Sequence, residues 1–414
     1  MNNLLTISKI TNEALAVLEN ELTFTSEVNR DYDDQFAQTG AKIGNTVNVR
    51  KPGRFIGTTG PALSVEDFNE TSVPVVLDTQ FHVDTQFTTQ DLALSLDSFS
   101  DRVLKPCIAA IANKIDRDGL VMAKNNTGNI VGVAGTAPTG LITYLTAGAY
   151  LDAEGAPRDG KRAVVIEPFT SAVIVDSLKG LFMPSTKITE QYQKGLMGRD
   201  SAGMNWKLDQ NVVSQTFGSW AATAGALSVN GAGQGLASGW AFSSTLNISS
   251  TQIGVLNQGD TFTVAGVFGV NPQNRQSYGR LRNFVVQSAV TLANGNTSVT
   301  VIPALIYGGQ FQNVTASPAA SAVITPFNIA TGTANAVVSP QNMLFHKNAF
   351  TMACADLELP EGVHFAGRAS DKDVGLSIRI VRQYTINSDA IPTRLDVLYG
   401  WRPLYPELAC RIAA

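Results

Sequence analysis

The sequence predicts an α+β body interrupted by an inserted all-β domain, and three observations predict it. Residues 98–126 carry the longest helical pattern, with Leu104, Ile108, Ile111, Ile115 and Met122 at spacings of 4, 3, 4 and 7, which is one stripe of a helix. Amphipathic strand patterns dominate the C-terminal part. The clearest is VGLSIRIVRQYTI at 374–386, where Val374, Leu376, Ile378 and Ile380 share a face. Between these regions, residues 213–338 hold only four charged side chains, Asp260, Arg275, Arg280 and Arg282. So sharp a change in charge density marks a separate domain.

Size and composition set the limits. With 414 residues the chain can bury a sizeable core and has room for two or three domains. Its apolar share of 44% is ordinary, while 15% charged is low against roughly a quarter in typical proteins. No run reaches the roughly 18 apolar residues of a membrane span. The start, MNNLLTISKITNEAL, lacks the apolar core and small-residue cleavage site of a signal peptide, so folding in a cytoplasm is expected. Cys107, Cys354 and Cys410 are far apart in apolar surroundings, which fits buried thiols. A net charge of −4 argues against a general nucleic-acid binder.

Charge is unevenly placed. Residues 1–40 carry Glu13, Glu19, Glu21, Glu27, Asp31, Asp33 and Asp34 against Lys9 and Arg30, a net of −5. Residues 41–65 carry Lys42, Arg50, Lys51 and Arg54 and no acid, a net of +4. An acidic segment therefore precedes a basic one.

In chain order, residues 7–22 read as a short helix with Ile10, Ala14, Val17, Leu18 and Leu22 in a narrow stripe, too short to be stable undocked. Residues 23–40 read as an extended polar arm. Segment 44–51 alternates as a strand with Val47 and Val49 on one face, and 72–78 is a second strand that Pro74 marks as an edge. The Gly- and Pro-rich 52–70 between them makes a long hairpin with a flexible tip. Strand 81–88 and DLALSLD at 91–97 lead into the long helix. There Ser98 and Asp101 resemble a capping box, Pro106 predicts a kink or late start, and Lys114, Asp116, Arg117 and Lys124 occupy the side opposite the stripe. Residues 127–160 carry little pattern. Then come a buried strand at 161–168, a helix at 171–179 capped by Thr170, a helix near 186–196 and a strand at 205–213. Within the insert, strands are expected at 260–267, 282–292 and 296–306, with Asn294-Gly295 as a tight hairpin. The chain closes with two strands over 343–357 and further strands at 374–386, 391–400 and 407–413.

Enzyme motifs are not found. His82, His346 and His364 have no metal-ligand spacing. There is no G-x-S-x-G and no phosphate loop, and GAGQG at 231–235 misplaces its third glycine. No catalytic, cofactor or metal site is expected.

Taken together, the order of segments resembles the major capsid proteins of tailed double-stranded DNA phages, of the Hong Kong 97-type fold, and within them the P-22-type coat proteins. The resemblance is carried by ITNEALAVLENELTFTSEVNRDYDDQF (10–36), KIGNTVNVRKPGRF (42–55), DLALSLDSFSDRVLKP (91–106), IANKIDRD (111–118), TRLDVLYG (393–400) and, in the insert, GDTFTVAGV (259–267). It implies an N-arm at 1–40 that reaches neighbouring subunits and an E-loop hairpin with its flanking strand at 41–90. A peripheral domain with the spine helix and the first part of the axial domain would occupy 91–212. An inserted β-barrel-like domain would occupy 213–338, and the rest of the axial and peripheral domains 339–414. It further implies a shell of hexamers and pentamers of this chain around phage DNA held without sequence-specific contact. A scaffolding protein and a portal would be partners, with assembly in host cytoplasm, a final place in the virion and no membrane. Some relatives cross-link the hairpin through a lysine; Lys51 lies near it, but P-22-type members lack that chemistry.

The expected inter-subunit contacts are Glu13, Glu19, Glu21, Asp31, Asp33 and Asp34 of the arm with Lys42, Arg50, Lys51 and Arg54 of the hairpin root. Two other readings stay open on the sequence: an encapsulin-like nanocompartment shell, and a carbohydrate-binding or carbohydrate-active protein that uses the β insert.

Overall fold

A computed structural model of the chain describes residues 22–30, 46–88, 105–178, 202–219, 227–327, 337–371 and 376–414. The helix expected at 7–22, except Leu22 itself, the helix expected at 186–196, the segment 91–97, the capping pair Ser98 and Asp101, Leu104 and Val374 lie outside the described residues. Two compact units divide the chain: residues 1–49, 72–119 and 350–402 form one, and residues 50–71, 120–349 and 403–414 the other.

β1 (Thr46–Lys51) and β2 (Thr71–Val76), of which residues 46–49 and 72–76 belong to the first unit, form a two-stranded ribbon. Val47 and Val49 are buried while Asn48 and Arg50 are exposed, as a period of two requires, and on β2 Val73 and Val75 are buried around an exposed Pro74. β3 (Thr79–Thr88) pairs along its whole length with β20 (Ala390–Pro403), from Thr79 opposite Tyr399 to Thr88 opposite Ala390. β17 (Phe350–Ala355), β18 (Phe365–Asp371) and β19 (Leu376–Arg382) complete this sheet in the order β17-β20-β19-β18. Leu376, Ile378 and Ile380 are buried on β19, as their alternation predicts.

Helix α1 spans Lys105–Asn126 with Pro106 in its first turn, where a missing N–H costs nothing. Its buried residues come in adjacent pairs every four positions: Cys107 and Ile108, Ile111 and Ala112, Ile115 and Asp116, Gly119 and Leu120, Ala123 and Lys124. This corrects the expected polar face, because Asp116 and Lys124 are buried while Arg117 is exposed. Of the predicted stripe, Ile111 and Ile115 lie in one buried column and Ile108 in the other, while Met122 is only half-buried; Ile108, Ala112 and Leu120 frame the two charges.

The second unit has its own sheet, in the order β4-β21-β16-β5-β6, with β7 also paired to β16. The strands are β4 (Ile130–Gly132), β5 (Arg162–Ile166), β6 (Asn205–Leu208), β7 (Ser214–Thr216), β16 (Val338–His346) and β21 (Ala409–Ala413). β5 is buried throughout, as its unbroken apolar run predicts. Helices α2 (Leu141–Ala153) and α3 (Pro168–Leu178) belong to the same unit. Tyr144, Leu151 and Ile174 pack with Val164, Leu344 and Ile412 in its core. The sequence reading gave no helix for 141–153. The buried face there is Tyr144, Ala147, Gly148 and Leu151, at helical spacing but with two small residues that mute the pattern. α3 begins at Pro168, not after Thr170, because proline suits the first helical position. The Thr170 hydroxyl instead donates to the Glu167 carboxylate at 3.1 Å.

The insert folds into a six-stranded sheet in the order β15-β11-β12-β14-β9-β8. Its strands are β8 (Leu227–Val229), β9 (Ser244–Ser250), β11 (Thr261–Val270), β12 (Ser277–Val286), β14 (Gly295–Ile302) and β15 (Ile324–Pro326). A bridge between Ser228 and Val323 joins the two edges, so the sheet closes on itself. Leu246, Phe262, Phe284, Val299 and Val301 fill the interior. The expected strand 282–292 is broken in two: β12 ends at Val286, and β13 (Val290–Leu292) pairs with β10 (Gly254–Leu256). Asn294-Gly295 therefore turns the chain from β13 into β14 without a ladder between them, because β14 pairs with β9 and β12.

All four charges of the insert are engaged. The Arg282 guanidinium contacts the Glu154 carboxylate, with both side chains buried. Arg280 lies over the Tyr150 ring at 5.9 Å, and Arg275 donates to the Gly309 carbonyl at 2.8 Å. Asp260 accepts from the Gln215 side chain at 2.9 Å and from the Gly218 amide at 2.9 Å. Around it, Arg411 of β21 is fully buried and donates to the Gly259 carbonyl at 2.8 Å and the Lys124 carbonyl at 3.0 Å. The Lys124 ammonium donates to Gln215.

Burial, reinforced by the Arg411 charge, pulls Lys124 from its ordinary 10.5 down to about 8. An unfolded chain holds that proton up to about 10.5 while the folded chain releases it near 8. Lys124 therefore contributes a rise in stability of about 3 kcal/mol as pH goes from 8 to 10.5, while the buried Cys410 and Cys107 thiols, pushed up by burial, contribute in the opposite direction from about pH 9. Denaturant titrations of the parent chain and of Lys124→Met isolate this contribution: between pH 8 and 10.5 the difference in stability should move by about 3 kcal/mol in favour of the parent chain.

Candidate functional site

Two arrangements stand out, one in each unit. In the first unit, residues 22–30 of the arm close on helix α1 through Asp116. Its carboxylate accepts hydrogen bonds from the amides of Thr23 at 2.7 Å, Phe24 at 3.3 Å and Thr25 at 3.0 Å, and from the Thr25 hydroxyl. Three successive N–H groups converging on one anion make a backbone nest. The carboxylate is almost completely buried, and burial pushes its pKa up against the opposing pull of these bonds. A short 3-10 turn, Thr25–Glu27, follows directly.

Phe24 then fills the space beside the helix. Its ring lies 5.5 Å from Trp401 and 6.1 Å from Phe350. Gly119 makes this possible, since a Cβ there would stand 2.7 Å from the Trp401 ring and 2.8 Å from the Phe24 ring. Farther along, the Asn29 amide donates to the Phe350 carbonyl at 3.2 Å. The Asn29 carbonyl accepts from the Met352 amide at 3.3 Å and the Thr351 hydroxyl at 3.0 Å. The segment is thus tied at both ends, and Leu22, Phe24, Thr25, Val28 and Asn29 are all buried.

In the second unit, the hairpin is held at its root and bare at its tip. Lys51 is buried; its ammonium donates to the Leu404 carbonyl and sits 4.5 Å from the Tyr405 ring and 5.4 Å from the Trp240 ring. Arg54 pairs with Glu407 at 3.4 Å and lies over Phe311 at 5.9 Å. Gln310 clamps the loop by donating to the Asp67 carbonyl at 2.7 Å and accepting from the Asn69 amide at 3.2 Å. The Glu66 carboxylate accepts from the Ile56 and Gly57 amides at 2.8 and 2.6 Å, which folds the tip across itself. Five large apolar side chains still face solvent: Leu63 at 91% exposure, Val65 at 80%, Phe68 at 62%, Phe55 at 60% and Ile56 at 53%. An apolar cluster of this kind marks an interaction surface.

Of the expected contact residues, Glu13, Glu19, Glu21, Asp31, Asp33, Asp34 and Lys42 lie outside the described residues. Arg50 is exposed, 3.8 Å from Glu70, which is also exposed but less so. Lys51 and Arg54 are engaged within the chain, as above. Sequence reasoning missed Asp116, Gly119, Trp401, Glu407 and Gln310. For two of them a signal existed: a lone glycine inside a helical pattern, and an aspartate in the column of Ile108, Ala112 and Leu120. Among the described residues no cluster of His, Cys, Asp or Glu could hold a metal ion, and no helix is long and apolar enough to cross a membrane.

Comparison with known proteins adds the following. A family model described as P22 coat protein, gene protein 5, matches residues 1–411. No curated protein matches the sequence. Among solved structures, the Ralstonia phage GP4 capsid is similar at 8% identity and TM-score 0.46, covering 95% of this chain and 88% of that one. A Mycobacterium phage Che8 structure is similar at 12% identity and TM-score 0.44, covering 94% and 90%. The CUS-3 coat protein I-domain is similar at 25% identity and TM-score 0.21, covering 26% of this chain and 99% of that one.

The clasp can be tested directly. Asp116→Asn turns a pure acceptor into a group with two donors facing three amides. It should cost about 2–3 kcal/mol, the range for hydrogen bonds to a buried charge. Gly119→Ala should expel Phe24 while leaving helix α1 intact. In both variants, hydrogen exchange of residues 22–30 should accelerate far more than that of α1.

Proposed function

The chain belongs to the P22 coat protein family, and from this premise we propose how its parts build a shell. As a member of that family it is a major capsid protein of the Hong Kong 97-type, a structural protein that self-associates into the icosahedral shell of a phage virion. We infer that the hairpin tip is covered by a second copy of the chain. The observation that supports this is the group of Phe55, Ile56, Leu63, Val65 and Phe68 on a loop whose root is firmly held. A single copy gains nothing from an anchored apolar tip. A ring of copies joined by heterologous contacts gains one buried patch per subunit.

The second part of the proposal concerns charge. Acids of the arm, Glu13, Glu19, Glu21, Asp31, Asp33 and Asp34, meet basic residues at the hairpin root of a neighbouring subunit. Because Lys51 and Arg54 have partners in their own chain, Arg50 carries this role among the described residues, and Lys42 joins it. Complementary patches of this kind set register and association rate more than affinity. A scaffolding protein with a basic helix is a further partner for the same acids at an earlier stage. Portal attachment, assembly in host cytoplasm and DNA held without sequence-specific contact complete the reading. The net charge of −4 supports the last point, since tight phosphate binding would oppose packing and release.

Two experiments test this. Leu63→Asp with Val65→Asp should leave monomer melting within about 0.5 kcal/mol, as surface changes do, yet abolish closed particles in electron micrographs. Normal particles would overturn the tip reading. Arg50→Glu should slow assembly followed by light scattering, with a defect that shrinks in 1 M salt, where the Debye length is about 3 Å. Asp33→Lys with Asp34→Lys should restore part of the rate. If Arg50→Glu assembles normally, the arm acids serve the scaffolding partner instead.

A further inference from the structure

We propose that the cavity at the hairpin root is a binding site for a small monovalent anion of the halide class. The cavity measures about 60 Å³. That is room for roughly four waters at about 15 Å³ each and far too little for an organic ligand, whose pockets run to roughly 300–1,000 Å³. It is lined by Lys51, Arg54 and Arg282, by Glu154 and Glu407, and by the ring of Trp240. Three cations face two carboxylates, so the lining carries one uncompensated positive charge.

The pairing identifies its source. Arg282 is matched by Glu154, and Arg54 by Glu407 at 3.4 Å. Lys51, only 8% exposed, makes no ion pair of its own among the described residues; the carboxylate that acts on it is Glu407, which is already paired with Arg54. Its ammonium has three donors and one protein acceptor, the Leu404 carbonyl, with the Tyr405 and Trp240 rings supplying the rest of its surroundings. A buried ammonium without a counter-ion is costly. A second, independent observation points the same way: Arg282 is buried, lines the same cavity, and its Nε donor has no acceptor. Two groups with unfilled donors, the Lys51 ammonium and Arg282 Nε, and a charge of +1 are what one monovalent anion would complete. A divalent oxyanion would overshoot the balance and crowd Glu154 and Glu407. The bound ion would join three segments of the second unit: the hairpin root at Lys51 and Arg54, the C-terminal turn at Leu404–Glu407, and the insert at Trp240 and Arg282.

This inference does not rest on the shell reading and can fail without it. The test uses the purified full chain as unassembled subunits, with sodium chloride and sodium bromide compared with sodium gluconate at constant ionic strength. The halides should raise the thermal midpoint along a saturating curve, as single-site binding to the folded state requires. Chloride-35 resonances should broaden in proportion to protein. Lys51→Met should weaken halide binding at least tenfold, and Arg54→Gln, which also makes the lining neutral, should do the same if Lys51→Met does not fold. The exposed neighbour Arg50→Gln should keep the full effect. Equal midpoints in halide and gluconate, or broadening that survives both neutralising variants, would overturn the proposal and leave water as the occupant.

Discussion

A buried charge must find a partner, and helix α1 buries two of opposite sign, eight residues apart. Asp116 and Lys124 occupy the same column of the helix as Ile108, Ala112 and Leu120. Each sits where a hydrophobic residue would serve a simple core. Each therefore dictates what surrounds it, because leaving either unpaired would cost several kcal/mol. In the first unit the demand is met by amides of the arm. In the second it is met by Gln215, close to Asp260 and Arg411. A hydrophobic residue at either position would pack against many neighbours. A charge accepts only the one arrangement that solvates it, so these positions trade stability for specificity of attachment.

The same rule explains the odd composition of the insert. A closed barrel needs alternation and turns, not charges, and its interior of Leu, Val, Ile and Phe is complete without them. Asp260, Arg280 and Arg282 instead engage residues outside 213–338: Arg411 faces Asp260 electrostatically, Tyr150 lies under Arg280, and Glu154 meets Arg282. Arg275 holds the loop whose Gln310 clamps the hairpin. The few charges of this stretch are thus ones that fasten it, and two of them, Asp260 and Arg282, are buried where they do so.

Much of the fold was legible because local pattern and tertiary role agree. β1, β5 and β19 each show the alternation or apolar run that their positions in a sheet require, and Ile108, Ile111 and Ile115 of the stripe on α1 are buried, while Met122 is only half-buried. Where local and tertiary demands part, the reading failed for physical reasons. Helix α2 uses Ala147 and Gly148 on its buried face, so its hydrophobic contrast is weak. Asn294-Gly295 makes a turn, but the partners of β14 were chosen by barrel closure, not by the nearest strand. The candidate site was less legible still. Charge counting placed Lys51 with Arg50 and Arg54 in one basic patch facing a neighbouring subunit. Yet the alternation that put Val47 and Val49 inward also puts Lys51 inward, and it was the better guide.

That last residue shows how the hairpin can serve both its own chain and a neighbour. Position in a strand fixes direction: odd-numbered residues from 47 to 51 turn inward and even-numbered ones outward. Lys51 thereby becomes an internal fixture, held by a carbonyl and two rings, and Arg50 an outward charge with only a solvated glutamate nearby. Beyond them the loop is tied down again by Arg54 and Gln310 before its apolar side chains emerge. Fixing the root lowers the entropy that the tip must lose on association. A contact that is weak when made once can then be decisive when each subunit of a closed shell repeats it. On the proposed reading of the tip, the polar fastening of the root holds ready the apolar surface that a second copy would cover.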